Sequence, residues 1–365
     1  MVASVSPCLP GRQGRKSARA WPGRTAVRTY AQGVEGPRTE SPGTVVVTGA
    51  SGFVGVNLVR RLLGDRWHAR TIDRRPVVGV DPAAVEHTLA DVRNKAAVKA
   101  PMVGADLVFH LAAKITLASV DPEAWEVNTV GPLTVARAAL EAGVPRLVHC
   151  SSVHAFDLVR SRPHLDEHSP RSTEPDRPVY DRSKAAGESA IRGVVDDGLD
   201  ATIVNPTGII GPADFGPSRI NAVIDQAARG HLPVVVRGGF DWVDVRDVVE
   251  ALVAAAEGGR RGESYLLPGH QATVLHLGRL AAGLNGHLGP VVALPAGLAR
   301  GLAPVGERVG RLLHSEAFTP ASIGTLLDDP MVDGTKAAAE LGHRARPLED
   351  SVRDTVRWFE GVARP

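Results

Sequence analysis

The sequence predicts an α/β protein: a doubly wound parallel sheet with a smaller C-terminal substrate-binding lobe. Three observations carry this expectation. The strands are nearly unbroken apolar runs, helical periods separate them, and a glycine-rich turn joins the first strand to the first helix in "VVVTGASGFVG" (Val45–Gly55). A parallel sheet is covered by helices on both faces, so its strands lose the apolar–polar alternation.

The elements follow in order. "TVVVTG" is a buried strand, and "VGVNLVRRLL" places Val54, Leu58 and Leu62 on one helical face. "HARTID" is the second strand, "EHTLAD" the third, and "ADLVFHLAA" the fourth. "EVNTVGPLTVARAALEAG" is a helix closed by Gly143 as its C-terminal stop. "PRLVHCSS" is the fifth strand, "RPVYDRSKAAGESAIRGVV" a helix, and "DATIVNPTG" the sixth strand. Near the end, "RPLEDSVRDTVRWFEG" carries Leu348, Val352, Val356 and Phe359 on one face, a closing amphipathic helix. Before it, "PVVALPAGLARGLAPVGERVGRLL" reads as a core helix that can offer an apolar wall. The expected organisation is a tail over 1–42, a dinucleotide-binding core over 43–205, and a substrate-binding lobe over 206–365. About 236–268 return to the core.

The composition, 43% apolar and 22% charged, is that of a globular protein, and no apolar run reaches membrane-spanning length unbroken. Two cysteines far apart, Cys8 and Cys150, argue against a disulfide framework and for a reducing compartment. The first 40 residues hold seven Arg/Lys and two acids, a net of +5 against +2 for the whole chain. The basic balance therefore belongs to a Gly-, Pro- and Ser-rich tail, read as disordered, and is poor evidence for nucleic-acid binding. The tail shares an Arg-rich, acid-poor character with organelle transit peptides, but its prolines spoil an amphipathic helix. Cytoplasmic localisation is expected, with organelle targeting as the alternative.

The turn carries chemistry. A helix N-terminus presents unpaired N–H groups and a partial positive charge, a site for a pyrophosphate. Gly49, Gly52 and Gly55 would let the chain turn, the phosphate approach and the helix pack, and Ser51, Phe53 and Val54 are counted with them as cofactor-binding. Alone, three glycines serve a plain strand–helix turn equally well. Asp73, ending the next strand, adds weight as a ligand for the adenosine ribose hydroxyls, which makes this a Rossmann-type sheet. Arg74 and Arg75 behind it can instead hold a 2′-phosphate. The expected cofactor is NAD, with NADP as the alternative.

"YDRSK" sets Tyr180 and Lys184 on one helical face. A lysine ammonium beside a tyrosine, with an oxidised nicotinamide near, favours the phenolate and brings it into range for proton exchange. Without the glycine turn, a surface helix contact is the better reading of that pair. Ser152 ends the fifth strand, where parallel-sheet sites open, and its hydroxyl can bond the same substrate oxygen. His110, His149 and His154 have no metal-ligand spacing and read as structural or pocket-lining; no metal is expected.

Together these stretches resemble the extended short-chain dehydrogenase/reductase family, of the NAD-dependent epimerase/dehydratase type. Within it they resemble the dihydroflavonol reductase and 3β-hydroxysteroid dehydrogenase-like branch. "TGASGFVG" has the family's G-x-x-G-x-x-G spacing. The resemblance implies cofactor contacts at Asp91 and Val92, at Leu111, Ala112 and Ala113 of "HLAA", at Asn128, and at Asn205, Pro206 and Thr207 of "NPTGIIGP". It implies Ser152, Tyr180 and Lys184 as the catalytic set, with the last two also touching cofactor. Two departures narrow the reaction. Val153 and His154 stand where 4,6-dehydratases carry an Asp–Glu pair, and Phe240 stands where many sugar-nucleotide epimerases carry a diphosphate-gripping arginine. The expectation is hydride transfer between nicotinamide and a secondary alcohol or ketone of a small, rather apolar substrate. A sugar-nucleotide epimerase and a non-catalytic cofactor-binding protein are the alternatives, and family enzymes often form homodimers.

Overall fold

Val45, Val46 and Val47 have no solvent exposure at all. They lie in β1 (Thr44–Thr48), an interior strand of a seven-stranded parallel sheet in the computed structural model. The structure describes residues 42–116, 118, 120–216, 218–290, 292–295 and 330–361. The basic tail and most of the stretch expected to wall the pocket lie outside the described residues.

From β1 the chain runs through α1 (Phe53–Gly64), β2 (His68–Asp73), β3 (Val85–Leu89), α2 (Lys95–Lys99) and β4 (Leu107–His110). It continues through α3 (Pro122–Ala142), β5 (Arg146–Cys150), a short 3-10 turn (Val153–Ala155), β6 (His164–Leu165), α4 (Val179–Asp196) and β7 (Ala201–Pro206). Then follow β8 (Gly208–Ile210), α5 (Arg219–Ala228), β9 (Val234–Val236), β10 (Gly239–Asp244), α6 (Val245–Gly258) and β11 (Ser264–Leu267). Last are β12 (His270–Thr273), α7 (Val274–Leu284), β13 (Val292–Leu294), β14 (Met331–Val332), α8 (Thr335–Leu341) and α9 (Leu348–Gly361).

The sheet order is β3-β2-β1-β4-β5-β7-β11. Connections leave β1 toward β2 and later return to its other side at β4, a switch point where a crevice opens at the carboxyl ends of the strands. Val46, Val108, Leu147 and Ile203 pack with Val135, Ile191 and Val194 into one core, which joins β1, β4, β5 and β7 to α3 and α4.

β8, β10, α5, α7 and α9 share a second core. β10 pairs parallel with β8 and antiparallel with β12, and Phe240 and Trp242 of β10 pack with Ile224, Leu277, Val352 and Val356. The closing helix is as expected: Leu348, Val352, Val356 and Phe359 are all buried. Of the stretch 236–268, α6 and β11 rejoin the large sheet, whereas β10 belongs to the smaller one. α6 lies beside α1, where Arg61 Nε donates to Glu250 Oε1 at 2.7 Å.

One helix begins earlier than its pattern predicted. α3 starts at Pro122 because Asp121 caps it, its carboxylate accepting from Ala124 N at 2.9 Å. Proline has no N–H to lose at this first position. Its end is as read: Gly143 is left-handed, at φ +71°. No helix among the described residues is long and apolar enough to cross a membrane.

Candidate active site

The glycines have different physical reasons. Gly49 turns the chain out of β1 at φ +72°, where its N–H donates to Ile72 O of β2 at 2.9 Å. A Cβ there would stand 2.5 Å from Ala112 N. At Gly55 a Cβ would fall on Gly49 O and lie 2.8 Å from Ala50 Cα, so this glycine lets α1 sit on the turn. At Gly52 a Cβ would meet nothing but Gly49 O, at 3.2 Å. Gly52 therefore opens toward the cleft. α1 begins there with no side-chain cap and no acid in its first turn, which leaves its leading amides to an anionic ligand. Phe53 and Val54, half-buried, form that first turn.

Asp73 holds the turn as well as facing the cleft. Its Oδ2 accepts from Ser51 N at 3.0 Å and its Oδ1 from Arg75 N at 3.2 Å, while Ser51 Oγ donates to Arg75 O at 2.7 Å. Ser51 is thus a staple between the glycine turn and β2. The Arg74 guanidinium is drawn to Glu123 at the start of α3, 2.7 Å away, and Lys114 Nζ reaches the same carboxylate at 2.6 Å. The Arg75 side chain has no such tie among the described residues.

These residues line a cleft of about 530 Å³, with walls from Gly49, Gly52, Asp73, Arg74, Arg75, Asp91, Val92, Leu111, Ala112 and Ala113. Ala90 and Val127 complete it and were missed, although each directly precedes a residue that sequence reading singled out. Arg93 grips both oxygens of Asp91 and holds its carboxyl below the usual carboxylate range. The open Gly52 face, the uncapped helix and the acid at the end of β2 fit a dinucleotide laid across the switch point.

Asn128 belongs to the frame of this cleft. It is buried in α3, where Oδ1 accepts from Lys114 N at 2.9 Å and Nδ2 donates to Lys114 O and to Ser183 Oγ, each at 3.0 Å. It ties the loop after β4 to α3 and α4. Asn205 of β7 behaves alike, with Nδ2 donating to Ser152 O at 2.9 Å and to the buried Glu188 Oε1 at 2.5 Å. Pro206 is buried in β7, and the Thr207 hydroxyl donates to Asp241 Oδ1 at 2.6 Å. For Asn128, Asn205 and Thr207, these polar atoms are engaged by protein.

Ser152, Tyr180 and Lys184 meet at the carboxyl end of β5. Lys184 Nζ donates to Cys150 O at 3.3 Å, and the ammonium is almost fully buried, which pulls its pKa down. Burial pushes the Tyr180 hydroxyl well up, and the nearby Ser152 side chain opposes this in part. Proximity to Lys184 was expected to favour the phenolate. In the protein alone burial wins, and Lys184 is not among the groups that move Tyr180. Cys150 is buried and its thiol is pushed up to about 11, far from a nucleophile.

The three histidines separate sharply. His110 and His149 stack at 5.0 Å inside the sheet, and burial holds both below the ordinary range, His110 at about 3. His154 lies instead between two aromatic rings: Tyr180, edge-on at 5.7 Å, and Phe240, stacked at 5.7 Å with an 11° tilt. Phe240 itself is only 6% exposed. Packing among Trp242 and its core neighbours makes it the backing of His154.

A model of the NAD dependent epimerase/dehydratase family matches residues 45–267. The chain is 34% identical over 324 residues to sterol demethylase protein B of Methylococcus capsulatus, covering 87% of this chain and 98% of that one. It is 28% identical to 3beta-hydroxysteroid-dehydrogenase/decarboxylase isoform 1 of Arabidopsis thaliana, covering 88% and 80%. The crystal structure of gox2253 superposes with a TM-score of 0.73 at 30% identity, covering 87% of this chain and 98% of that one.

Proposed function

The chain belongs to the NAD-dependent epimerase/dehydratase family and is an NAD-dependent oxidoreductase of the extended short-chain type. On that footing we propose that it moves hydride between the nicotinamide and a secondary alcohol or ketone on a small, largely apolar substrate. One observation carries the reading: the Ser152 side chain comes close enough to the buried Tyr180 hydroxyl, at the carboxyl end of the parallel sheet, to hold its pKa down in part, with Lys184 buried behind them on Cys150 O. The names of the relatives, a sterol demethylase protein and a hydroxysteroid dehydrogenase, support an apolar ring substrate.

The Gly49–Gly55 turn, Asp73, Asp91–Val92 and Leu111–Ala113 would hold NAD, which when bound supplies the hydride acceptor. Ser152 Oγ hydrogen-bonds the reacting oxygen and Tyr180 Oη exchanges its proton. Burial keeps Tyr180 protonated in the protein alone, the form that donates when a ketone is reduced. Lys184 fixes α4 to the end of β5 and so keeps Tyr180 beside Ser152. In this reading residues 43–205 mainly hold cofactor and 206–365 mainly shape the substrate side, in a cytoplasmic enzyme.

The test is NADH formation from a panel of secondary alcohols that includes a 3β-hydroxysteroid, run beside an epimerisation assay on UDP-glucose. Wild type should oxidise alcohols, and Tyr180→Phe should lose at least about 100-fold in kcat while still binding NADH. Turnover of UDP-glucose with no alcohol oxidised would replace this reading with the epimerase.

A further inference from the structure

We propose that His154 is a specificity-determining residue: Asp181 fixes its tautomer, and its Nε2 accepts a hydrogen bond from a second hydroxyl that the substrate carries within one or two carbons of the reacting alcohol. The proposal rests on the oxidoreductase reading above and names a feature of its substrate.

Ser152, Phe240, Tyr180 and Asp181 hold the ring and the turn that carries it. Ser152 Oγ accepts from His154 N at 3.2 Å and fixes the turn on which the histidine sits. Phe240 covers one face at 5.7 Å and the Tyr180 ring lies against it at the same distance, so the imidazole cannot rotate freely. Nδ1 is the buried nitrogen. It lies 3.2 Å from Asp181 Oδ1, at ion-pair distance though not aligned as a full hydrogen bond, and it has no other protein partner. A lone pair aimed at a carboxylate would be repelled, so Nδ1 carries the proton. Nε2 then bears the lone pair.

Nε2 differs from the other buried ring nitrogens. His110 Nε2 and His149 Nδ1 are sealed from solvent; Nε2 of His154 is neither sealed nor bonded to protein among the described residues. The ring edge left over is therefore polar. It belongs to the side chain packed on the Tyr180 ring, beside Ser152 at the end of β5. A ring wanted only for packing against Phe240 and Tyr180 needs neither nitrogen. A carboxylate at Nδ1 is the arrangement that orients an imidazole for use at its other nitrogen.

The test compares trans-cyclohexane-1,2-diol with cyclohexanol as hydride donors to NAD. Wild type should favour the diol in kcat/KM by roughly fivefold, the size of one net hydrogen bond. In His154→Phe, which keeps a ring on Phe240, the ratio should fall to about one, with the loss in the KM of the diol; Asp181→Asn should lower it partway. A wild type without the preference, or a His154→Phe that retains it, overturns the proposal. Tyr180→Phe separates the two readings, since it should silence both probes whatever His154 does. If wild type oxidises neither, ¹⁵N NMR of the NADH-loaded protein decides: an Nδ1–H tautomer at His154 that is lost in Asp181→Asn supports the assignment, and an Nε2–H tautomer in wild type overturns it.

Discussion

Gly49 and Ala112 touch through their backbones: the turn after β1 lies so close to the loop after β4 that a Cβ on Gly49 would sit 2.5 Å from Ala112 N. Both strands of the switch point end in this contact. Gly49→Ala adds the strain of a left-handed alanine to a backbone clash, and should cost about 2 kcal/mol or more of stability. Gly52→Ala meets only Gly49 O at 3.2 Å, so the fold should survive while NADH affinity drops. Thermal unfolding and NADH titration of both variants check this; the reverse pattern would contradict it.

Cofactor choice turns on Asp73. Repulsion between its carboxylate and a 2′-phosphate at short range is worth on the order of 1–4 kcal/mol. Arg74 is engaged by Glu123, which leaves Arg75 as the side chain able to offset it. Wild type should bind NADH more tightly than NADPH. Asp73→Ala should narrow or reverse the difference, and should weaken NADH as well because Ser51 N loses its acceptor. Fluorescence titration of the two nucleotides reads both effects, and tighter NADPH binding by wild type would point to Arg75.

Asn128→Leu should destabilise the protein by about 2–4 kcal/mol, because it strands Lys114 N and Lys114 O and leaves Ser183 Oγ only its bond to Tyr180 O. Denaturant unfolding measures this. A neutral result would mean that the loop after β4 holds itself.

Acid should unfold the protein through its buried histidines. The unfolded chain takes up protons near the ordinary histidine pKa, about 6.5, while His110 stays neutral in the fold until about pH 3. Its contribution is intact above pH 6.5 and is lost as pH falls toward 3, at up to about 1.4 kcal/mol per pH unit. His149 acts in the same direction. Stability measured from pH 7 to 4 should fall less steeply in His110→Asn than in wild type.

What was legible in the sequence was local. The strand–turn–helix at Val45–Leu62 and the acid at the end of β2 declare themselves by neighbouring residues, and all three sequence-predicted catalytic side chains meet at one end of β5. What was not legible depends on partners far along the chain. Asn128, Asn205 and Thr207 were expected as cofactor contacts; Ser183, Glu188 and Asp241, each distant in sequence, bond the Asn128 amide, the Asn205 amide and the Thr207 hydroxyl, while Asn205 Oδ1 is buried with no protein partner among the described residues. The three histidines looked alike because nothing in "HLAA" or "VHCSSVHAF" says which ring will be sealed and which will lie on a tyrosine. The early start of α3 was readable from "DPEAW", an Asp cap followed by proline.

The closing helix sets an order of assembly. Every residue that lines the cleft at the glycine turn lies between Gly49 and Val127, so a chain still on the ribosome can gather that surface early. The backing of His154 cannot form so soon. Phe240 packs in the same core as Val352 and Val356 of α9, the last described helix. A nascent or truncated chain that lacks α9 would thus own a nucleotide surface before it owned a firm seat for substrate, and translation would finish the two halves of the enzyme in that sequence.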